Sequence, residues 1–190
     1  MRMFIALPLP GAIKEHLAEF LEPRREAGPD LRWTDPEQWH VTLAFLADVA
    51  DRHTDELSER VQRAVSRRKP LMLRMTGAGA FPNAGHAKVL WAGIEHDGEE
   101  LTRLAGGVRA AGAKSGIVVG GGRFHAHLTL ARLGHPADVT RWLRTLEPYA
   151  GPPWQAREVD LVASYLGQGP NGRARHEVRE TFELGPPNMG

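Results

Sequence analysis

Two pentapeptides of nearly identical sequence lie 87 residues apart in this chain of 190 residues. They are His40–Ala44 (HVTLA) and His127–Ala131 (HLTLA), which differ by one apolar exchange. At the same offset, further apolar positions coincide in the pairs Phe4/Trp91, Leu7/Ile94, Leu17/Leu104 and Leu21/Val108. Such a fixed period indicates an internal repeat, and we predict that the chain folds as two similar halves.

The predicted elements follow the same order in both halves. Short apolar runs bounded by Pro or Gly predict strands, and apolar residues spaced three and four apart predict helices. The predicted strands are 3–7, 40–46, 71–75, 89–94, 127–132, 159–166 and 176–184, and the predicted helices lie around 13–21, 57–65, 101–108 and 139–146. We therefore predict one domain, 1–190, made of two lobes, about 1–86 and 88–175, related by a pseudo-twofold axis.

Composition excludes several classes of protein. The chain has 24 Lys and Arg against 23 Asp and Glu, a net charge of +1, which argues against binding nucleic acid by bulk charge alone. It has no Cys, so it has neither a thiolate metal site nor a cysteine nucleophile. No apolar run approaches the length of a membrane span or of a signal peptide. We therefore expect a cytoplasmic protein that does not bind membranes and is a monomer.

The repeated pentapeptides place the same two polar side chains on each strand. Because alternate residues of a strand face the same side, His40 and Thr42 share one face while Val41 and Leu43 enter the core. His127 and Thr129 share a face in the same way. A twofold relation between the lobes turns these faces toward each other across a central cleft, which gathers two His and two Thr around one small volume.

Two imidazoles and two hydroxyls are a suitable set for in-line displacement at a phosphodiester. One imidazole removes a proton from the attacking oxygen, and the other donates a proton to the leaving oxygen. The Thr hydroxyls donate hydrogen bonds to the phosphoryl oxygens, which stabilises the charge that develops in the transition state. A single His-x-Thr on a strand usually has no such role, but two copies in register favour catalysis.

The motifs resemble those of the 2H phosphoesterase superfamily, and within it the RNA 2′,3′-cyclic phosphodiesterases, also called 2′-5′ RNA ligases. His40–Leu46 (HVTLAFL) and His127–Arg132 (HLTLAR) resemble the two signature strands. Weaker likenesses are the opening strand and the closing hairpin, at Met3–Leu7, Leu161–Ser164 and Arg175–Val178.

The resemblance implies a bilobal α+β fold with two antiparallel sheets and flanking helices around a central cleft. It implies hydrolysis of 2′,3′-cyclic phosphate RNA ends to 2′-phosphates, without a metal or another cofactor. On the matching positions, His40, Thr42, His127 and Thr129 are the predicted catalytic residues and Arg132 helps to hold the phosphate. We predict that His127 is the base for water and His40 the acid for the 3′-oxygen.

Residues beside the motifs are candidates for substrate contacts. We predict that His125 lies at the rim of the site or touches the substrate, and that Phe124 is the most plausible of the nearby aromatic residues to stack on a nucleobase. For Trp33, Trp39 and Phe45, core packing is the favoured interpretation. His176 departs from the family pattern, because a Tyr is common at its position.

Four alternatives remain open at this point. Zinc can bind a set of three imidazoles, His40, His125 and His127, although the paired Thr then have no explanation. The same chemistry with a 5′-hydroxyl in place of water is 2′-5′ RNA ligation. The substrate can also be a small cyclic nucleotide rather than RNA. Finally, the chain can be an RNA-binding module without turnover.

Overall fold

Two antiparallel sheets and four α-helices make up the part of the fold that the structure describes. The computed structural model describes residues 1–28 and 30–185. Its strands are β1 (Met3–Pro8), β2 (Arg32–Trp33), β3 (His40–Leu46), β4 (Leu71–Phe81), β5 (Ala87–His96), β6 (His127–Ala137), β7 (Trp154–Ala156), β8 (Glu158–Tyr165) and β9 (Arg175–Glu183). Its helices are α1 (Gly11–Ala27), α2 (Thr54–Ser66), α3 (Glu100–Lys114) and α4 (Thr140–Leu146). The predicted α+β class with two antiparallel sheets is confirmed.

The two sheets have related strand orders. One sheet runs β3-β1-β8-β9 and the other β2-β6-β5-β4-β7. In each sheet the strand that carries a His-x-Thr motif pairs with the first strand of its own half, β3 with β1 and β6 with β5. The next strand comes from the other half of the chain, β8 beside β1 and β4 beside β5. We propose that this equivalence reflects duplication of one unit, with strands exchanged between the two sheets.

The predicted apolar faces form the core. Ile13, Leu17 and Leu21 are the buried face of α1, and Leu57, Val61 and Val65 are that of α2. On the motif strands, the side chains that alternate with His and Thr are fully buried. Their burial, worth about 2 kcal/mol for each large aliphatic side chain, fixes which face of each strand carries the imidazoles.

β4 is longer than its sequence predicted, because its second half lacks the usual residues of a strand. The segment Gly77–Ala80 has low strand propensity, and Gly77 has a φ of 70° beside an irregularity in the pairing with β5. Gly79 is needed because a Cβ at this position would overlap the indole ring of Trp91. Strands β2 and β7 were not predicted, because segments of two or three residues are too short to show the alternation of buried and exposed residues that marks a strand.

None of the four helices in the described residues is long and apolar enough to cross a membrane.

Candidate active site

The two motif histidines make the same hydrogen bond in their two sheets. His40 donates from Nδ1 to the carbonyl oxygen of Gln38 at 2.7 Å, and His127 donates from Nδ1 to that of His125 at 2.7 Å. A carbonyl oxygen only accepts, so this bond requires the proton on Nδ1. In the neutral imidazole, Nε2 of both rings is then unprotonated and available to accept a proton.

An aromatic side chain on the neighbouring strand supports each imidazole. The Phe4 ring stacks on His40 with centroids 4.5 Å apart, and the Trp91 ring lies 6.1 Å from His127. Phe4 and Trp91 are one of the pairs that the repeat brings into register. Phe81 adds an edge contact to His127 at 5.0 Å. The aromatic contacts and the carbonyl bond together hold each ring in one orientation.

The strands β3 and β6, which carry the two motifs, contact each other, and the charge of His127 acts on His40. The pKa of His40 is lowered to about 4, mainly by burial and to a smaller extent by the positive charges of His176, His127 and Arg132, against the opposing effect of the Gln38 carbonyl. Burial is also the main cause of the lowered pKa of His127, followed by His125 and Arg132. Both imidazoles are therefore neutral at pH 7 in the free protein.

Arg132 is close enough to both motif histidines to lower the pKa of each. Its side chain is exposed, and no ion pair within residues 1–28 and 30–185 involves it. A guanidinium beside two neutral imidazoles gives the site a positive charge. Such a site favours a phosphate group, for which the planar fork of Arg is well suited.

A β-bulge explains why Arg132 faces the site. β5 pairs Leu90 with Ala131 and Trp91 with Thr129, so Leu130 is the extra residue of β6. Without this bulge, strict alternation from His127 would turn Arg132 toward the core. The bulged residue thus reverses the alternation immediately after the motif.

The same bulge at the equivalent place in β3 exposes Phe45. β1 pairs Ile5 with Ala44 and Ala6 with Thr42, which leaves Leu43 as the extra residue. Phe45 is consequently 47% exposed, directly opposite Phe4 and on the same face of the sheet. Our prediction that Phe45 belongs to the core is wrong, whereas Trp33 and Trp39 are buried as predicted.

The other predicted substrate contacts lie next to the second motif. His125 is exposed and its ring lies 4.7 Å from that of Trp91. Phe124 is half-buried against the core. Phe124 also lies 5.6 Å below the guanidinium of Arg109, so only part of its ring is accessible to a nucleobase.

Arg109 and His176 belong to the site although the sequence assigned neither a role there. Arg109 on α3 donates to the carbonyl oxygens of Leu43 and Gly122, each at 3.0 Å, and so ties the loop before the second motif to the first motif. The ring of His176 on β9 lies 5.7 Å from His40 and 5.0 Å from Phe4. Burial and the charge of Arg2 lower the pKa of His176.

In the described part of the chain, no three His, Asp or Glu side chains are grouped so that they could hold a metal ion. The structure therefore does not assemble His40, His125 and His127 as the ligands of a zinc site. One reason is local. The Nδ1 of His127 is bonded to the backbone of His125, and the rings of these two residues have centroids 6.1 Å apart.

The model of the LigT-like phosphoesterase family matches residues 7–91 and residues 93–170 of this chain. The chain belongs to this family. The two matched segments meet close to the predicted boundary between the halves. Other LigT-like phosphoesterases then provide the natural comparison for the site.

Two relatives of the chain are named RNA 2′,3′-cyclic phosphodiesterases. An RNA 2′,3′-cyclic phosphodiesterase of Archaeoglobus fulgidus is 33% identical over 145 residues, which cover 74% of this chain and 80% of that protein. A protein of the same name from Geobacillus stearothermophilus is 29% identical over 95% of this chain, but the match spans 56% of that protein.

Solved structures share the whole fold. The protein TT0787 of Thermus thermophilus superimposes with a TM-score of 0.79 at 30% identity, over 98% of this chain and 100% of that one. Escherichia coli LigT in complex with 3′-AMP gives a TM-score of 0.77 at 25% identity, over 96% of this chain and 97% of that one.

Proposed function

We propose that this protein hydrolyses the 2′,3′-cyclic phosphate end of RNA to a 2′-phosphate by acid/base catalysis with two histidines and no metal. The observation that carries the proposal is the paired arrangement of His40 and His127. Each imidazole donates from Nδ1 to a backbone carbonyl, each is supported by an aromatic ring, and each has a Thr two residues on along its strand.

In the proposed reaction, a water oxygen attacks phosphorus and the bond from phosphorus to O3′ breaks. His127 takes a proton from the water through Nε2, and His40 gives a proton to O3′ as it leaves. One water molecule is consumed in this reaction. Its oxygen forms the new bond to phosphorus, one of its protons passes to His127, and O3′ leaves as a hydroxyl with the proton from His40, so no co-reactant is required. Each proton transfer of this kind contributes about 10²–10⁴-fold to the rate.

Thr42, Thr129 and Arg132 are proposed to hold the phosphoryl oxygens. Both hydroxyls lie on the same strand face as the imidazoles, and Arg132 supplies the positive charge near both rings. The negative charge on these oxygens grows in the transition state, where such donors have their largest effect.

The relatives, more than the geometry, support the proposed substrate class. The named relatives are RNA 2′,3′-cyclic phosphodiesterases, and the LigT structure contains a nucleoside monophosphate with its phosphate on O3′. These names support a nucleotide with phosphate at the 2′ and 3′ positions as the group that this site accepts.

An isotope experiment tests the proposed reaction. The wild-type protein, treated with EDTA, is incubated in ¹⁸O-water with an RNA oligonucleotide that ends in a 2′,3′-cyclic phosphate. We expect a 2′-phosphate that contains one ¹⁸O atom, measured by mass spectrometry and ³¹P NMR. Turnover that stops in EDTA and returns with zinc contradicts the metal-free mechanism, and a 3′-phosphate product contradicts the proposed leaving group.

The lowered pKa values of His40 and His127 predict that kcat/KM is highest at acidic pH. kcat/KM depends on one neutral and one protonated imidazole of the free protein, and the pKa values of both lie below the usual 6.5. Raising the pH above these values removes the acid, and lowering it below them protonates the base. We therefore expect a bell-shaped profile of kcat/KM with its maximum below pH 6.5. A plateau that extends through pH 8 would contradict this expectation.

Phe45 is proposed to offer an apolar surface to the terminal nucleobase. It is the exposed aromatic side chain on the face that carries His40. Stacking on one aromatic ring is worth about 1–3 kcal/mol per base. We expect a Phe45→Ala variant to raise KM about tenfold or more with little change in kcat, whereas Met72→Ala, which removes another exposed apolar side chain, leaves both unchanged. Equal KM values for Phe45→Ala and the wild type would show that Phe45 does not contact the nucleobase.

A further inference from the structure

The segment between α3 and the second motif continues the edge of the sheet β3-β1-β8-β9 for a short distance. β3 is an edge strand of this sheet, and Leu46 pairs with Val119 in an antiparallel bridge on its outer side. The amide of Gly120 donates to the carbonyl oxygen of Phe45 at 2.8 Å, as the amide of a further strand would do. The chain that leads into β6 is therefore attached to the strand that carries the first motif.

The guanidinium of Arg109 takes the next place in this pairing. Continued in the same register, the pairing would bring Gly122 opposite Leu43. Instead, Arg109 donates from Nε to the carbonyl oxygen of Leu43 and from Nη1 to that of Gly122, each at 3.0 Å. Gly122 has a φ of 99°, a conformation that favours glycine, and the segment leaves β3 at this point. One planar guanidinium thus bridges the two backbones where they separate.

The contacts of Arg109 are those of a structural link. Its side chain is half-buried, and it forms no ion pair in the part of the chain that the structure describes. Besides the two carbonyl oxygens, its guanidinium contacts the ring of Phe124 at 5.6 Å. The arginine whose charge lowers the pKa of both motif histidines is Arg132. Arg109 therefore acts through the backbone that it holds.

Both carbonyl groups held in this way lie close to the groups that place the imidazoles. Leu43 is inside the first motif, where it forms the bulge of β3. Gly122 lies three residues before His125, whose carbonyl oxygen accepts the Nδ1 bond that orients His127. A shift of this segment against β3 would move Nε2 of His127 away from the first motif. Displacing a reacting group by about 1 Å can cost about 10²-fold in rate.

We propose that Arg109 is a positioning residue, which sets the place of His127 relative to the first motif by joining the segment before it to β3. This inference rests on the proposed function, because that reaction requires both imidazoles at one phosphate. We expect Arg109→Ala to lower kcat by about tenfold to 10²-fold and to change KM by less than about threefold. A change in KM alone, or an unchanged kcat, would overturn the proposal.

A double-mutant cycle separates positioning from general damage to the fold. On the His127→Ala background, Arg109→Ala should lower kcat/KM by less than about threefold, because the place of an absent imidazole no longer matters. A loss on this background as large as in the wild type would overturn the proposal. The matched control is Arg103→Ala, which removes a guanidinium from an exposed position of the same helix, where it pairs with Glu99 and Glu100. It should leave both rates unchanged.

Arg109→Lys tests the bridge if Arg109→Ala does not fold. A Lys ammonium keeps the charge, but it is a compact group on a flexible stem and lacks the fork that spans two carbonyl oxygens. We expect Arg109→Lys to be folded, as checked by circular dichroism, and to lower kcat at least about fivefold. A kcat equal to that of the wild type would overturn the proposal, because the charge alone would then suffice.

Hydrogen exchange tests the same inference without turnover. The Gly120 amide, which donates to Phe45, should exchange at least about tenfold faster in Arg109→Ala or Arg109→Lys than in the wild type, while the amides of α1 keep their rates. If the wild type hydrolyses no cyclic phosphate, the proposed function fails, and exchange at Gly120 still shows whether Arg109 holds the segment. Unchanged exchange at Gly120 would overturn the proposal even where hydrolysis stands.

Discussion

A His40→Ala variant should recover its lost activity when sulfur replaces the leaving 3′-oxygen of the cyclic phosphate, whereas a His127→Ala variant should not. A thiolate leaves without a proton because the pKa of a thiol is about 8.5, far below that of a ribose hydroxyl. The general acid is therefore dispensable on the sulfur substrate, and the general base is still required. The measurement is kcat/KM of both variants and the wild type on the oxygen and sulfur substrates.

On the oxygen substrate we expect each variant to lose about 10²–10⁴-fold in kcat/KM. On the sulfur substrate, His40→Ala should come within about tenfold of the wild type, while His127→Ala keeps its full loss. Recovery of His127→Ala instead would reverse the assigned roles. Recovery of neither variant would contradict a division into one acid and one base.

An Arg132→Ala variant should combine a large loss of activity with a shift in the titration of the two imidazoles. Removing a charged donor from the developing phosphoryl charge costs about 10²–10³-fold in kcat. The positive charge of Arg132 also lowers the pKa of both His40 and His127. Its removal should therefore raise both pKa values, as measured by NMR titration of the imidazole protons.

Arg144→Ala serves as the control, because it removes the same charge from an exposed position on α4. It should leave both titrations and the rate unchanged. Unchanged imidazole pKa values in Arg132→Ala would show that its guanidinium is not at the site. A loss of rate without a change in pKa would place its effect elsewhere in the fold.

The motif strands were predictable because local pattern and burial agree there. The first motif strand was predicted as 40–46 and is His40–Leu46 in the structure. Its apolar residues alternate with His and Thr, and a sheet with one buried face fixes the register strongly. The repeat then predicted the second strand from the first, and it begins at His127.

Phe45 shows where the sequence pattern failed. Alternation from His40 assigns residue 45 to the core, but the bulge at Leu43 reverses the faces and leaves Phe45 exposed. The offset of 87 places Phe45 at the position of Arg132 in the other half, after the equivalent bulge at Leu130. Nothing in one strand's sequence marks a bulge, because it depends on pairing with a neighbour.

The remaining site residues depend on contacts between distant parts of the chain. His176 reaches His40 because β9 pairs with β8 and β8 with β1, and no local pattern reveals this order. Arg109 lies on a helix whose sequence predicts only an amphipathic face, yet it bonds to the carbonyl of Leu43. Long-range pairing of this kind cannot be inferred from periodicity alone.

The central claim is that His40 and His127 act together in metal-free hydrolysis. The most direct measurement is the turnover, in EDTA, of an RNA ending in a 2′,3′-cyclic phosphate by the wild type, His40→Ala and His127→Ala, each first shown to be folded by circular dichroism. The account predicts 2′-phosphate product from the wild type and a rate at least about 10²-fold lower in each variant. Turnover by either variant at the rate of the wild type would contradict it.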